Sequence, residues 1–132
     1  MDKIIIIVVL VVVLLYAGNT LLQRRGLIGG AGYERISATE AKALMDEQTV
    51  IIVDVRSDLE YRGGHIQGAI NLPVEEIGSS MPDLLPDQEA LILLYCRSGS
   101  RSGQAARKLV ELGYTNIYDF GGISAWGDEL VR

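Results

Sequence analysis

A chain of 132 residues has room for one domain of about a hundred residues and one further segment. The formal net charge is −5; from Ile36 onward lie 8 of the 12 Lys and Arg but 15 of the 17 Asp and Glu, a net of −7 there, which argues against a nucleic-acid partner or a broad anionic surface. One Cys and one His exclude an intramolecular disulfide and a cysteine-rich zinc site, and argue against a His-built metal centre.

The further segment comes first. Ile4 to Ala17 reads IIIIVVLVVVLLYA, without a charge or a strongly polar side chain. Continued to Leu22 it is roughly 28 Å long as a helix, close to the hydrocarbon thickness of a bilayer. Its β-branched residues favour strand in water, but in lipid the backbone must satisfy its own hydrogen bonds, and helix wins. A cleaved signal peptide is the alternative. It needs two small residues at the cut, and the pairs Leu15/Ala17 and Tyr16/Gly18 each contain a bulky member. The expectation is therefore one uncleaved transmembrane helix within residues 1–25. Arg24 and Arg25 follow the run and Lys3 alone precedes it, which puts the C-terminal part on the cytoplasmic side of a single-pass protein, as in a bacterial inner membrane. Residues 26–32, GLIGGAG, form a glycine-rich linker.

From residue 33 to 132 the texture is that of a folded domain. Ser37-Ala38-Thr39-Glu40 is a capping-box pattern that opens a helix through about Asp46. Thr49 to Val55 is a continuously apolar, β-branched strand, as found in a parallel sheet covered on both faces. Asp58 to Arg62 forms a short helix stopped by Gly63-Gly64, and Ala69 to Leu72 a brief strand ended by Pro73. Pro82 and Pro86 bracket a loop or a single helical turn. Ala90 to Tyr95 is a second buried strand. Ser100 to Leu112 is a helix with Ala105, Leu109 and Leu112 on one face and Gly113 as its stop. Asn116 to Tyr118 is a last short strand, and Gly121-Gly122 leads to a helical turn around Trp126. Strands alternating with helices give an α/β domain whose central sheet is mostly parallel and flanked by helices.

The chemistry sits at the join between the second buried strand and the long helix, Cys96-Arg97-Ser98-Gly99-Ser100-Arg101. Unpaired N–H groups of a helix's first turn, the helix dipole and two arginines all favour a thiolate there. The same groups would hold an anionic substrate or the charge of a persulfide on Cys96. A lone cysteine is more often a small buried hydrophobe, and it is this position that raises Cys96 to the catalytic candidate.

Cys96 to Gly103, CRSGSRSG, resembles the active-site loop of the rhodanese family. Three further stretches agree in order: Asp54-Val55-Arg56, Gly64-His65-Ile66-Gln67-Gly68-Ala69-Ile70-Asn71, and Gly121-Gly122 with Ala125-Trp126. These stretches lie between Asp54 and Trp126, and the resemblance covers roughly residues 33–132. The resemblance implies a rhodanese-like fold and a Cys96 that takes sulfur from a small anionic donor such as thiosulfate. Arg97, Ser98, Gly99, Ser100 and Arg101 would bind that donor, with Arg56 helping to receive the anion. The persulfide then passes its sulfur to a thiol, to cyanide or to a partner protein, in ping-pong fashion and with no metal or organic cofactor.

Two rivals stand beside sulfur transfer. Related domains with phosphatase or arsenate reductase activity carry five residues between Cys and Arg, whereas four separate Cys96 from Arg101; the smaller loop suits a sulfur atom better than a tetrahedral oxyanion. A non-catalytic module tethered to the membrane would keep the fold without needing the thiol. His65 is expected to be structural rather than a general base, Asp54 to accept local backbone hydrogen bonds, and Tyr118 and Trp126 to be core aromatics.

Overall fold

The computed structural model describes the backbone of residues 2–24 and 32–132, and the side chains of residues 2–15 and 32–132. The chain divides into two units, Met1–Gly30 and Ala31–Arg132. The first contains helix α1, Lys3–Arg24, whose side chains from Ile4 to Leu15 are exposed at every position. The expected transmembrane helix is not reproduced: among the described residues no helix is long and apolar enough to cross a membrane. The linker expected over 26–32 lies, Gly32 apart, outside the described residues.

The second unit runs β1 (Glu34–Arg35), α2 (Ala38–Glu47), β2 (Ile51–Asp54), α3 (Asp58–Arg62), β3 (Ile70–Asn71), β4 (Ile92–Cys96), α4 (Ser100–Glu111) and β5 (Ile117–Gly122), with 3-10 turns at Val74–Glu76 and Ile123–Ala125. The five strands lie in the order β1-β5-β4-β2-β3, and every pair is parallel. β4 sits at the centre, buried at all its positions. Its side chains alternate between two cores. Ile92, Leu94 and Cys96 join Val53, Ala105 and Leu109 on one face, while Leu93 and Tyr95 join Ala41, Phe120 and Trp126 on the other. A strand apolar on both faces is what a sheet covered on both sides requires, and each large side chain so buried contributes about 1.5–3 kcal/mol.

The caps follow their sequence signals. Ser37 opens α2 by accepting the N–H of Glu40 at 3.1 Å. The full reciprocal capping box stands at α3, where Ser57 accepts from the Glu60 N–H at 3.2 Å and its own N–H donates to the Glu60 carboxylate at 3.4 Å. Two elements depart from expectation. β1 has only two residues, both exposed and charged, and pairs through its backbone with Tyr118 and Asp119. β5 extends through Gly121-Gly122 instead of ending at Tyr118, because Gly122 pairs in register with Cys96.

Candidate active site

β4 ends at Cys96 on the C-terminal edge of the parallel sheet, the edge on which such sheets gather their sites. The chain then turns through Arg97, Ser98 and Gly99 into α4. Gly99 is the N-cap of that helix, at a left-handed φ of 101°, and it has no side chain with which to cap. The thiol takes that role. The Gly99 N–H donates to Cys96 Sγ at 3.0 Å. Sγ in turn donates to Ser102 Oγ at 3.6 Å, and the Ser102 hydroxyl donates to the Gly99 carbonyl at 3.1 Å. No acidic residue stands in the first turn of α4. Burial alone pushes the Cys96 thiol up. Hydrogen bonds from the Ser102 side chain and from the N–H groups of Ser102, Gly99 and Ser98 outweigh it, so the pKa lies below the ordinary thiol value.

The loop is braced from three sides. From β5, Gly122 lies against the backbone of Arg97 and Ser98 so closely that a Cβ there would collide with the Arg97 carbonyl. From β1, the Arg35 guanidinium covers Gly99, its Nη2 3.2 Å from where a Cβ of Gly99 would stand. From α3, Glu60 receives both Arg101 nitrogens, Nη1 at 2.7 Å and Nη2 at 2.9 Å. The Arg101 guanidinium holds the Glu60 carboxyl down at about 2, with hydrogen bonds from Ser57 adding to it and burial opposing.

The structure therefore brings together Cys96, Arg97, Ser98, Gly99, Ser100 and Arg101, with Arg97, Ser98 and Ser100 exposed and Arg101 held by Glu60. Arg56 is the correction. Expected to help receive an anion, it is 6% exposed and turned inward, its Nε and Nη2 donating to the Asp54 carboxylate at distances from 2.7 to 3.1 Å and its Nη2 to the Gly64 carbonyl at 2.7 Å. A guanidinium bound to a fully buried carboxylate and a carbonyl is a structural cation. Asn71 completes the knot by donating to the carbonyls of Asp54 and Arg56. His65 is likewise structural, stacked on Tyr61 at 3.7 Å with its Nδ1 2.9 Å from the Tyr61 carbonyl oxygen. Asp54 does accept the Arg56 N–H, at 2.9 Å, and Trp126 is buried beside Phe120.

Sequence reasoning missed Glu60, Ser102, Arg35 and Arg107. Ser57-x-x-Glu60 was a readable cap, but its pairing with Arg101 crosses the fold. Outside the loop a cavity of about 330 Å³ opens, walled by Ser98, Gly99, Ser100, Tyr33, Arg35 and Arg107. Among the described residues no cluster of His, Cys, Asp or Glu is of the size a metal ion needs.

Comparison with known proteins agrees with this arrangement. The family model described as Rhodanese-like domain matches residues 37–129. The thiosulfate sulfurtransferase PspE of Escherichia coli (strain K12) is 39% identical over 71 residues, covering 54% of this chain and 68% of that protein. A sulfurtransferase of Allochromatium vinosum is 36% identical over 91 residues, covering 68% of this chain and 83% of that protein. Among solved structures, a rhodanese with anions from E. coli superposes with a TM-score of 0.58 at 34% identity, over 64% of this chain and 99% of that one.

Proposed function

The chain belongs to the rhodanese family, and from that premise we propose that it moves sulfane sulfur from a donor such as thiosulfate to a thiophilic acceptor through a persulfide on Cys96. The observation that carries this is the thiol itself, standing in place of a cap at the start of α4 and held by the Gly99 N–H at 3.0 Å.

In the first half, the Cys96 thiolate attacks the outer sulfur of thiosulfate. The bond between that sulfur and the sulfonate sulfur breaks, and sulfite leaves with the electron pair. The N–H groups of Ser98, Gly99 and Ser102 that stabilise the thiolate then stabilise the persulfide, while exposed Arg97, Ser98 and Ser100 meet the donor's oxygens. Arg101, pinned to Glu60, contributes its charge from a fixed place. In the second half, an acceptor thiolate attacks the outer sulfur of the persulfide, the Sγ–S bond breaks, and the Cys96 thiolate is regenerated. Membrane attachment through the first unit, with the second unit on the cytoplasmic side, belongs to the same proposal; no helix among the described residues is long and apolar enough to cross a bilayer, so it rests on the exposed apolar run Ile4–Leu15, which has no polar face, and on Arg24 and Arg25 behind it in the sequence.

The test is the intact mass of the full chain before and after thiosulfate, beside Cys96→Ala. The expected outcome is a gain of one sulfur atom, absent from the variant and removed by cyanide or a reducing thiol. A folded, reduced chain that gains nothing from thiosulfate or from any other sulfane donor would overturn the reading in favour of oxyanion chemistry or a binding module.

A further inference from the structure

Two carboxylates are buried among the described residues, those of Asp54 and Asp119. Asp54 receives the Arg56 guanidinium on both of its oxygens. Asp119 is matched less well. Its Oδ1 accepts the Gly121 N–H at 2.9 Å, but Oδ2 makes no hydrogen bond among the described residues. Its ion-pair partner Arg35 stands with Nε 3.6 Å away and has a side chain 66% exposed. Asp119 lies in register with Leu94 of β4, a member of the core that α4 covers, and its Oδ2 is 3.8 Å from where a Cβ of Gly103 would stand. In such a place a half-satisfied carboxylate costs stability, and an apolar side chain of like size would serve the core as well or better. An unsatisfied buried group of this kind asks for another explanation, and its neighbours supply one.

We propose that Asp119 is a positioning residue: through Arg35 and Gly121 together it fixes Gly99, and so aims the Gly99 N–H at Cys96 Sγ. This rests on the reading of Cys96 as the sulfur-carrying nucleophile. A Cβ on Gly99 would stand 3.2 Å from Arg35 Nη2 and 3.5 Å from Gly121 Cα, so that side of Gly99 lies against both groups. Both are tied to the one carboxylate, Arg35 through its Nε and Gly121 through its N–H. Arg35 is fixed a second time by its place opposite Asp119 in the pairing of β1 with β5. Gly99 in turn gives its N–H to Cys96 Sγ at 3.0 Å, and its carbonyl accepts the Ser102 hydroxyl at 3.1 Å and the Gly103 N–H at 3.2 Å. Glycine at a left-handed φ of 101° has no side chain to hold that conformation, so the hold must come from outside the loop. Arg35 suits the task because its flat guanidinium presents Nε to Asp119 and Nη2 to Gly99 at once, which a single ammonium does not.

The experiment titrates Cys96 in the full chain, following the Cβ chemical shift of this single cysteine against pH in the native protein, in Asp119→Asn and in Arg35→Lys. A loosened Gly99 N–H stabilises the thiolate less, so the Cys96 pKa is expected to rise in both variants. The kcat/KM for thiosulfate at pH 7 should fall about tenfold in each, the worth of one hydrogen bond to a charged group. Charge alone predicts otherwise. Neutralising Asp119 makes the surroundings of the thiolate more positive and would lower the Cys96 pKa, while R35K keeps its charge and would leave the pKa where it is. A pKa that falls or stays in place in a folded D119N would therefore overturn the proposal, and so would an unaltered pKa in R35K. The second variant changes an exposed side chain, so it decides the matter even where D119N does not fold. Should the native chain move no sulfur at all, the sulfur-transfer reading fails by itself; the titration, which needs no donor, still decides whether Asp119 positions the loop.

Discussion

Ser102 is fully buried, and its hydroxyl has two neighbours to choose between. With Cys96 as a thiol, Sγ–H donates to Ser102 Oγ and the Ser102 hydroxyl donates to the Gly99 carbonyl. Once the proton has left Sγ, that hydroxyl can turn and donate to the thiolate instead. A hydrogen bond made to the charged form and not to the neutral one lowers the pKa, and here it acts with the N–H groups of Ser102, Gly99 and Ser98 against the opposing effect of burial. Ser102→Ala removes the hydroxyl and leaves the backbone donors in place. The Cys96 pKa should then rise towards the ordinary thiol value. First-half sulfur transfer at pH 7 should slow by about tenfold, the worth of one hydrogen bond to a charged group. The Cβ chemical shift of the single cysteine, followed against pH in the native chain and the variant, measures the first effect without reference to activity. An unshifted titration would leave Ser102 with a packing role only.

The active-site loop belongs to four elements at once. β4 delivers the thiol, α4 supplies the N–H groups, β5 lays Gly122 against Arg97, and α3 reaches across to hold Arg101 through Glu60. The last contact has a definite pH signature. Glu60 is held at about 2 against an ordinary 4.5, so its carboxylate stabilises the folded state above the ordinary value, and that contribution is lost as pH falls from about 4.5 towards 2. Both side chains are a little over a quarter exposed, and solvent screening limits the contribution to about 1 kcal/mol. Glu60→Gln should therefore lower stability by about that amount at pH 7 and have little effect near pH 2, which urea unfolding at the two pH values measures; an equal loss at both would mean that the ion pair is not the cause. The helices and inner strands were legible because each carries a local signal: the cap at Ser37, Gly63-Gly64 after α3, the apolar runs of β2 and β4, and Gly113 after α4. β1 carries none, since Glu34 and Arg35 have neither apolar character nor alternation and become a strand only by pairing with β5. The fate of Arg101 was hidden for the same reason: Arg56 binds Asp54 only two residues away, whereas Arg101 meets Glu60 across 41 residues of sequence, a pairing that no local signal announces.

At the scale of the whole molecule, the two units pose different problems to water. The second unit hides most of its large apolar side chains in two cores, whereas α1 exposes an unbroken series of Ile, Val and Leu from Ile4 to Leu15, between 44% and 73% exposed. Water gives such a helix no favourable face, since the run has no polar stripe to turn outward. In a bilayer the same surface is at no disadvantage, and the helical backbone has satisfied its own hydrogen bonds. The proposed anchor therefore makes a prediction about the intact chain. It should sediment with membranes, resist extraction by high salt and alkaline carbonate, and dissolve in detergent. Replacing Val9 and Val12 by Lys should release it, because each charge near the middle of a span opposes insertion by about 3 kcal/mol. A reporter fused to the C-terminus should be found on the cytoplasmic side, as Arg24 and Arg25 require. An unaltered native chain in the soluble fraction would remove the anchor and leave the sulfur chemistry of the second unit untouched, since among the described residues none that holds Cys96 lies before Arg35.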